Sequence, residues 1–396
     1  MSIKKKPDTR ISLNDLIATS NRVSAVIERV RSTMLAPDAR KTSPTFSTNQ
    51  IATICGLDKA KMDYRLKKGD LPIGKMDAGH RRRFSLEDTR TWAKSVRSKL
   101  MRPQNAEAIT IAVANFKGGV TKTTTAVTLA QGLSLRGHNV LVIDTDPQGS
   151  MTTLFGLLPD VDVSDEQTIL SLCYGSEVSI DYAVTPTYWS GIDIVPANLG
   201  LYSAEFALPS RQKTEGSFEF WNVLDHGIDT ARTKYDVIIL DTSPSLSYLT
   251  INALLAADGL IMPLPPSTLD FTSSGQFWNL FNELTANLVT NRGKTKSFDF
   301  VDVLLARVDA NDASSNVVRE WITAGYANMV LPVEIPKTAL TASASAEFGT
   351  VYDTDPATIN ARTYRRAFDA YERVVELVEG QIQTAWNRQL GEQYGA

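Results

Sequence analysis

The sequence has 396 residues, 43% of them hydrophobic, which suits two or three ordinary globular domains, and its 41 Lys and Arg nearly balance 44 Asp and Glu. No uninterrupted apolar run has transmembrane length, and the N-terminus MSIKKKPDTR leads into a polar-interrupted helix instead of an apolar signal core, so a cytoplasmic protein is expected. Cys55 and Cys173 form no CxxC pair, and His80, His138 and His226 have no ligand spacing, which argues against an iron-sulfur cluster and against zinc.

The net charge of −3 conceals a sharp division: residues 1–102 carry 23 Lys and Arg against 10 Asp and Glu, whereas the remainder carries 18 against 34. A basic module for nucleic acid joined to an acidic catalytic body fits that split. Ser12 and Asp15 form a capping box for a helix running to Met34, in which Leu16, Val23, Ile27, Val30 and Met34 make one apolar seam. A lone helix has no core, so residues 1–40 must bury the seam against their own chain or, the preferred reading, against a second copy in a dimer.

After a polar linker from Pro37 to Pro44, the stretches Ser47–Gly56 and Asp58–Lys68 read as two short helices joined by a glycine turn. The second helix carries Lys59, Lys61 and Arg65. Leu71 to Phe84, with Gly74 and Gly79, suits a β-hairpin wing edged by Arg81, Arg82 and Arg83, and Ser85 with Asp88 caps a further helix to about Val96. Residues 41–102 thus resemble the winged helix-turn-helix of MerR-like regulators. Their basic residues are candidates for contacts to phosphates and the minor groove.

Lys99 to Glu107 reads as a hinge into a third domain, 103–396, whose centre is AVANFKGGVTKTTT. A buried strand (Ile109–Asn115) stops at glycines, and a helix opens at Lys122 and runs to Leu135. This is a phosphate cradle: Lys117, Gly118, Gly119, Val120, Thr121, Lys122, Thr123 and Thr124 turn backbone N–H groups and a helix N-terminus toward one point. Lys122 supplies a cation and Thr123 a hydroxyl for Mg²⁺. The strict GxxxxGK[ST] pattern fails, because Phe116 and Thr121 occupy its glycine positions; KGGxxK[ST]T fits from Lys117.

Apolar strands then alternate with helices: Val140–Asp144, Ile192–Pro196, Val237–Asp241, Leu260–Pro263 and Phe300–Arg307, with a helix over Phe218–Ala231 and an irregular stretch over Leu157–Tyr188. They predict an α/β, doubly wound, mainly parallel sheet of the P-loop NTPase kind, with its ligand at the carboxyl ends of the strands. Two strands end in carboxylates, Asp144 (followed by Asp146 in DTDPQG) and Asp241. Carboxylates placed so can hold Mg²⁺ and orient a water for phosphoryl transfer.

KGGVTKTT, with Lys117 as its extra lysine, resembles the deviant Walker family that includes the ParA partition ATPases, MinD and the nitrogenase iron protein. The resemblance spans about Glu107 to Arg373, and the LPPSTLDF segment is most like that of partition ATPases with N-terminal DNA-binding domains. It implies ATP and Mg²⁺ as cofactors, Lys117 reaching the nucleotide of a partner subunit in a homodimer, Asp144 near Mg²⁺, Asp146 orienting water and Asp241 holding Mg²⁺ through water. It further implies a ParB-like centromere-binding partner, operator binding by the N-terminal module and nucleoid association. Glu372, Glu376 and Glu379 deny the C-terminus the basic face of a MinD-type membrane helix. Arg362, Arg365 and Arg366 form either a solvated helix face or a contact for non-specific DNA. The alternative function is a transcriptional or replication regulator that uses nucleotide only as a conformational switch.

Overall fold

Uninterrupted apolar runs can pair into strands only where both faces of the sheet are covered, and the computed structural model has that arrangement. It describes residues 11–34, 41–337, 349–354 and 360–394. The chain divides into two compact units, Met1–Thr42 and Ser43–Ala396.

Among the described residues the first unit holds one helix, α1 (Leu13–Met34), started by reciprocal bonds in which Asp15 N donates to Ser12 Oγ (3.2 Å) and Ser12 N to Asp15 Oδ2 (2.8 Å). Leu13, Leu16, Ile17, Val23 and Val26 are all exposed. The seam positions Ile27, Val30 and Met34 lie outside the described side chains.

The second unit carries both sheets. Its small antiparallel sheet, in the order β1 (Phe46–Ser47), β3 (Arg82–Phe84), β2 (Lys75–Met76), adds a strand to the expected hairpin. Helices α2 (Thr48–Cys55) and α3 (Lys59–Lys68) are separated by Gly56, whose φ of 65° ends α2 in the left-handed region. Phe46, Ile51, Met62, Phe84, Leu86 and Trp92 fill the space between them and α4 (Leu86–Val96).

The large sheet has eight strands in the order β11, β10, β9, β4, β8, β5, β7, β6. β4 (Ile109–Val113), β5 (Val140–Asp144), β8 (Val237–Asp241), β9 (Gly259–Leu264), β10 (Phe300–Val308) and β7 (Ile192–Val195) realise the expected strands, all parallel. β11 (Val330–Pro336) and the antiparallel β6 (Thr185–Pro186) were not expected. β11 mixes Glu334 and two prolines into its apolar run, and β6 has only two residues, so neither leaves a periodic signal. The helix expected over Phe218–Ala231 is broken at Ile228 into Val223–Gly227 and Asp229–Lys234. Asn252 pins the preceding turn, accepting Leu224 N–H (3.1 Å) and donating to Phe220 O (2.7 Å).

The expected hinge is instead a fastened strap. Arg102 pairs with Asp236 (3.0 Å) and donates to three main-chain carbonyls, those of Ala106, Arg232 and Thr233. The small module is also bolted to the body through Arg90, which is buried and donates to Ser134 Oγ, Ser190 O, His138 O and Asn139 Oδ1. Gly191 is required beside it, since a Cβ there would fall 1.2 Å from Arg90 Nη1. α5 (Lys122–Leu135) packs on β4 and on the C-terminal helix Ala361–Tyr394, whose inward stripe is Tyr371, Val374, Val375, Val378, Ile382, Ala385 and Trp386. Among the described residues, no helix is long and apolar enough to cross a membrane.

Candidate functional site

The site forms where β4, β5 and β8 end. In the sheet register Asp144 stands opposite Asp241, and Asp241 opposite Val113, the last residue of β4. Asn115 fixes the entry to that loop, donating to Pro263 O (2.9 Å) and accepting from Lys117 N (3.1 Å). Gly119 has φ 73°, and Thr121 has φ 74°. Thr121 thus keeps a conformation natural to the glycine of the strict pattern, which costs a β-branched residue about 1–3 kcal/mol. Its carbonyl accepts Thr125 N–H (2.8 Å) and begins α5.

Lys122, the first residue of α5, is only 7% exposed and donates to Lys117 O (3.0 Å). Burial draws its pKa down, while Asp241 and Asp146 favour its charged form. Asp144 is fully buried and pushed up to about 7, chiefly by burial, with three hydrogen bonds opposing the rise and Asp146 adding to it. Asp241 is raised well above the carboxylate range by burial and then by Asp144. Neither of its oxygens has a hydrogen-bond partner of good geometry, and the hydroxyl of Thr123 lies close enough to favour the charged form.

Two carboxylates, Asp241 and Asp146, face the buried ammonium of Lys122 and Asp144 stands beside them, so a bound cation would offset the charge that burial penalises, and the buried oxygens of Asp241 are where one would sit. Among the described residues no group of three His, Cys, Asp or Glu side chains could hold a metal ion by itself. A cation here would therefore complete its shell with water and ligand oxygens, as Mg²⁺ does beside phosphates. The residues fit that group.

Lys117 points away from this cluster to Asp270, 3.2 Å distant at the start of the helix Thr268–Leu288. Arg307, next to last in β10 with φ 55°, donates to Gly119 O (2.8 Å). Sequence reasoning missed it; a lone cation after an apolar strand gives no signal. Asp270 lies inside the LPPSTLDF segment, whose sequence assigns it no role, and nothing local to Thr152 signals that it holds Asp144.

The other candidate residues are dispersed. Lys59 and Lys61 are exposed on α3, while Arg65 is half-buried and 3.5 Å from Asp70. Of the hairpin arginines, Arg81 is exposed, but Arg82 donates to Ile73 O (2.7 Å) and Arg83 pairs with Asp77 (3.3 Å), so these two brace the hairpin. Arg362, Arg365 and Arg366 are exposed on the first turns of the C-terminal helix. Their spacing of three and four residues puts them on one face.

A glycine loop between a central parallel strand and a helix, with carboxylates ending the adjacent strands, defines a P-loop nucleotide-binding domain. A family profile described as an AAA domain matches residues 108–292. The chain is 31% identical over 366 residues to a putative replication protein A of Rhizobium rhizogenes, covering 89% of this chain and 90% of that protein. It is 29% identical over 389 residues to SopA of Escherichia coli strain K12, covering 95% and 98%. Among solved structures, a "Partition Protein" superposes with a TM-score of 0.63 over 92% of this chain and 98% of its own, at 19% identity. Cobyrinic acid a,c-diamide synthase from Mycobacterium smegmatis, bound to ADP and magnesium, gives 0.50 over 62% and 91%, at 28% identity. The chain belongs to the ParA-type partition ATPase family.

Proposed function

We propose that the protein is a Mg²⁺-dependent ATPase that segregates DNA, working as an ATP-bound dimer on non-specific DNA and as an operator-binding autorepressor. The observation that carries this reading is the buried, unpartnered carboxylate of Asp241 beside buried Lys122, behind a glycine loop that lacks the strict pattern but keeps its backbone. In this reading Lys122 and the N–H groups of residues 117–124 hold the phosphates. Thr123 and Asp241 hold Mg²⁺, with Asp144 close by. Asp146 orients the attacking water, and Lys117 reaches the partner's nucleotide. The metal supplies charge neutralisation for phosphoryl transfer; the chain supplies position.

Residues 1–40 serve dimerisation in this scheme, 41–102 form a winged helix-turn-helix that reads an operator, and 103–396 form the ATPase, in the cytoplasm and on the nucleoid. A ParB-like protein is the partner that stimulates turnover. The likeness to a protein described as a replication protein favours one other reading, a regulator in which nucleotide only switches conformation.

The test is ATP hydrolysis with Mg²⁺, with chelator and with duplex DNA, alongside nucleotide binding by calorimetry. Lys122→Ala should lose most ATP affinity, and Asp146→Ala should bind Mg-ATP yet turn over far more slowly. Parental ATP affinity in Lys122→Ala would overturn the site; wild-type partition by a hydrolysis-dead Asp146→Ala would favour the switch.

A further inference from the structure

The loop bearing Asp146 is held by a closed ring of hydrogen bonds. Asp146 N donates to Asp144 Oδ1 (3.1 Å), and Gln148 N donates back to Asp146 Oδ1 (3.0 Å). Thr152 donates twice to Asp144 Oδ2, from its backbone N (2.9 Å) and from Oγ1 (2.7 Å). The same Thr152 Oγ1 accepts Ala197 N–H (2.9 Å), just past β7. From Ala197 the chain runs through Asn198, which accepts Gly200 N–H (2.9 Å), to Tyr202, whose hydroxyl accepts Gln148 Nε2 (3.0 Å) and closes the circuit.

Two consequences follow from counting donors and acceptors. Both oxygens of Asp144 are committed to the loop, in contrast to the unpartnered oxygens of Asp241. Thr152 is the joint of the ring, because one hydroxyl serves as donor to Asp144 and acceptor for Ala197, a dual task that only a hydroxyl performs. Its side chain is fully buried, so neither neighbour could turn to bulk water in its place.

We infer that Thr152 is a positioning residue for the hydrolytic step: through Asp144 and Ala197 it sets the loop that places Asp146, while Tyr202, about half exposed, ties that loop to the surface turn Leu199–Ser203. The inference rests on the proposed role of Asp146. Nucleotide phosphates and Mg²⁺ would be held by other residues, so the ring governs geometry at the attacking water and leaves binding nearly untouched.

Thr152→Val keeps the volume and removes the hydroxyl; Thr152→Ser keeps the hydroxyl. In Thr152→Val, kcat should fall about tenfold or more with KM for ATP changed less than about threefold, and Thr152→Ser should recover most of the rate. Independently of turnover, amide hydrogen exchange in the nucleotide-free protein should rise about tenfold at Asp146, Gln148 and Ala197 in Thr152→Val and stay near the parent in Thr152→Ser. If Thr152→Val does not fold, Tyr202→Phe, at an accessible position, should still speed exchange at Gln148 and lower kcat. Parental kcat and parental exchange in Thr152→Val, or in Tyr202→Phe where that variant stands in, would overturn the inference. Faster exchange with parental kcat would overturn it too, leaving a structural ring only. Failure of the ATPase reading would appear separately, as unaltered ATP binding in Lys122→Ala.

Discussion

The Nζ of Lys117 lies 3.2 Å from Asp270 Oδ1, an ion pair within one protomer, although Lys117 belongs to the glycine loop and Asp270 to a helix that follows the other flanking strand, β9. Asp270 is also the N-terminal cap residue's partner: its N–H donates to Ser267 Oγ (3.2 Å), and that hydroxyl donates back to its carboxylate. The lysine proposed to act on a partner's nucleotide therefore has a competing anion at home. Because Lys117 is over a third exposed, the pair is worth at most about 1 kcal/mol.

Asp270→Asn should release that hold. ATP-dependent association should then occur at protein concentrations about two- to fivefold lower than in the parent, and Lys117→Ala should abolish it while nucleotide stays bound. Sedimentation with and without ATP decides: an unchanged Asp270→Asn titration, or a Lys117→Ala dimer of parental affinity, removes the exchange of partners from the mechanism.

Thr121 gives a second prediction, from strain. At φ 74° it occupies a backbone region that glycine enters freely. Thr121→Gly relieves about 1–3 kcal/mol of strain and concedes about 1 kcal/mol to the more flexible unfolded chain. The net expectation is stabilisation by up to about 2 kcal/mol, read as a higher urea midpoint at unchanged slope. Gly119→Ala, at φ 73°, should move the midpoint the other way. A lower midpoint for Thr121→Gly would mean that the threonine side chain stabilises the loop by more than its backbone costs.

Much of this site is legible in the sequence because its parts are local. KGGVTKTT, DTDPQG and the strand ending in Asp241 each carry a short pattern whose chemistry is read from neighbours, and the helix Lys122–Leu135 and strand Val140–Asp144 have the bounds their apolar runs predict. What escaped depends on contacts between distant residues. Arg307 meets Gly119 across 188 positions, Asp270 meets Lys117 across the sheet, and Thr152 meets Ala197 across 45. The reverse also occurred: three consecutive arginines read as a nucleic-acid edge, yet Arg82 and Arg83 are engaged inside the hairpin, which periodicity cannot disclose.

Glu379 links three segments by charge. On the C-terminal helix it forms ion pairs with Arg97 (2.7 Å) after α4 and with Arg136 (3.5 Å) after α5, and shares a hydrogen bond with His138 (2.8 Å). Burial alone would raise its pKa, but hydrogen bonds from His138 and Arg97 outweigh that and hold it down at about 2. A depressed carboxylate contributes stability that is present above its unfolded pKa and disappears as pH falls from about 4.5 to about 2. Glu379→Gln should therefore cost about 3 kcal/mol at pH 7 and flatten the stability curve in that acidic window by about one proton. Urea titrations at several pH values check it. Equal slopes for variant and parent between pH 4.5 and 2 would show that Glu379 is not the group being titrated.

Two separate basic surfaces predict two kinds of DNA binding in one chain. Lys59 and Lys61 on α3 and Arg81 at the hairpin tip are each exposed on the small module, which is fastened to the body by Arg90. In the proposed function operator binding is assigned to that module, so Lys59→Ala with Lys61→Ala and Arg81→Ala should weaken it. Arg362, Arg365 and Arg366 lie on one exposed face of the C-terminal helix and would meet phosphates of any duplex once ATP has fixed two subunits. Each phosphate contact contributes about 0.9 to the slope of log affinity against log salt, so alanine at all three should flatten that slope by up to about 3 per subunit on random duplex. Operator affinity should persist in that triple variant, and ATP-dependent binding to random duplex should persist in the module variant. Titrations on operator and random DNA at several salt concentrations separate the two surfaces. If the C-terminal triple variant kept the parental slope on random DNA, those arginines would be a solvated face, and the non-specific contact would lie elsewhere on the ATP-bound dimer.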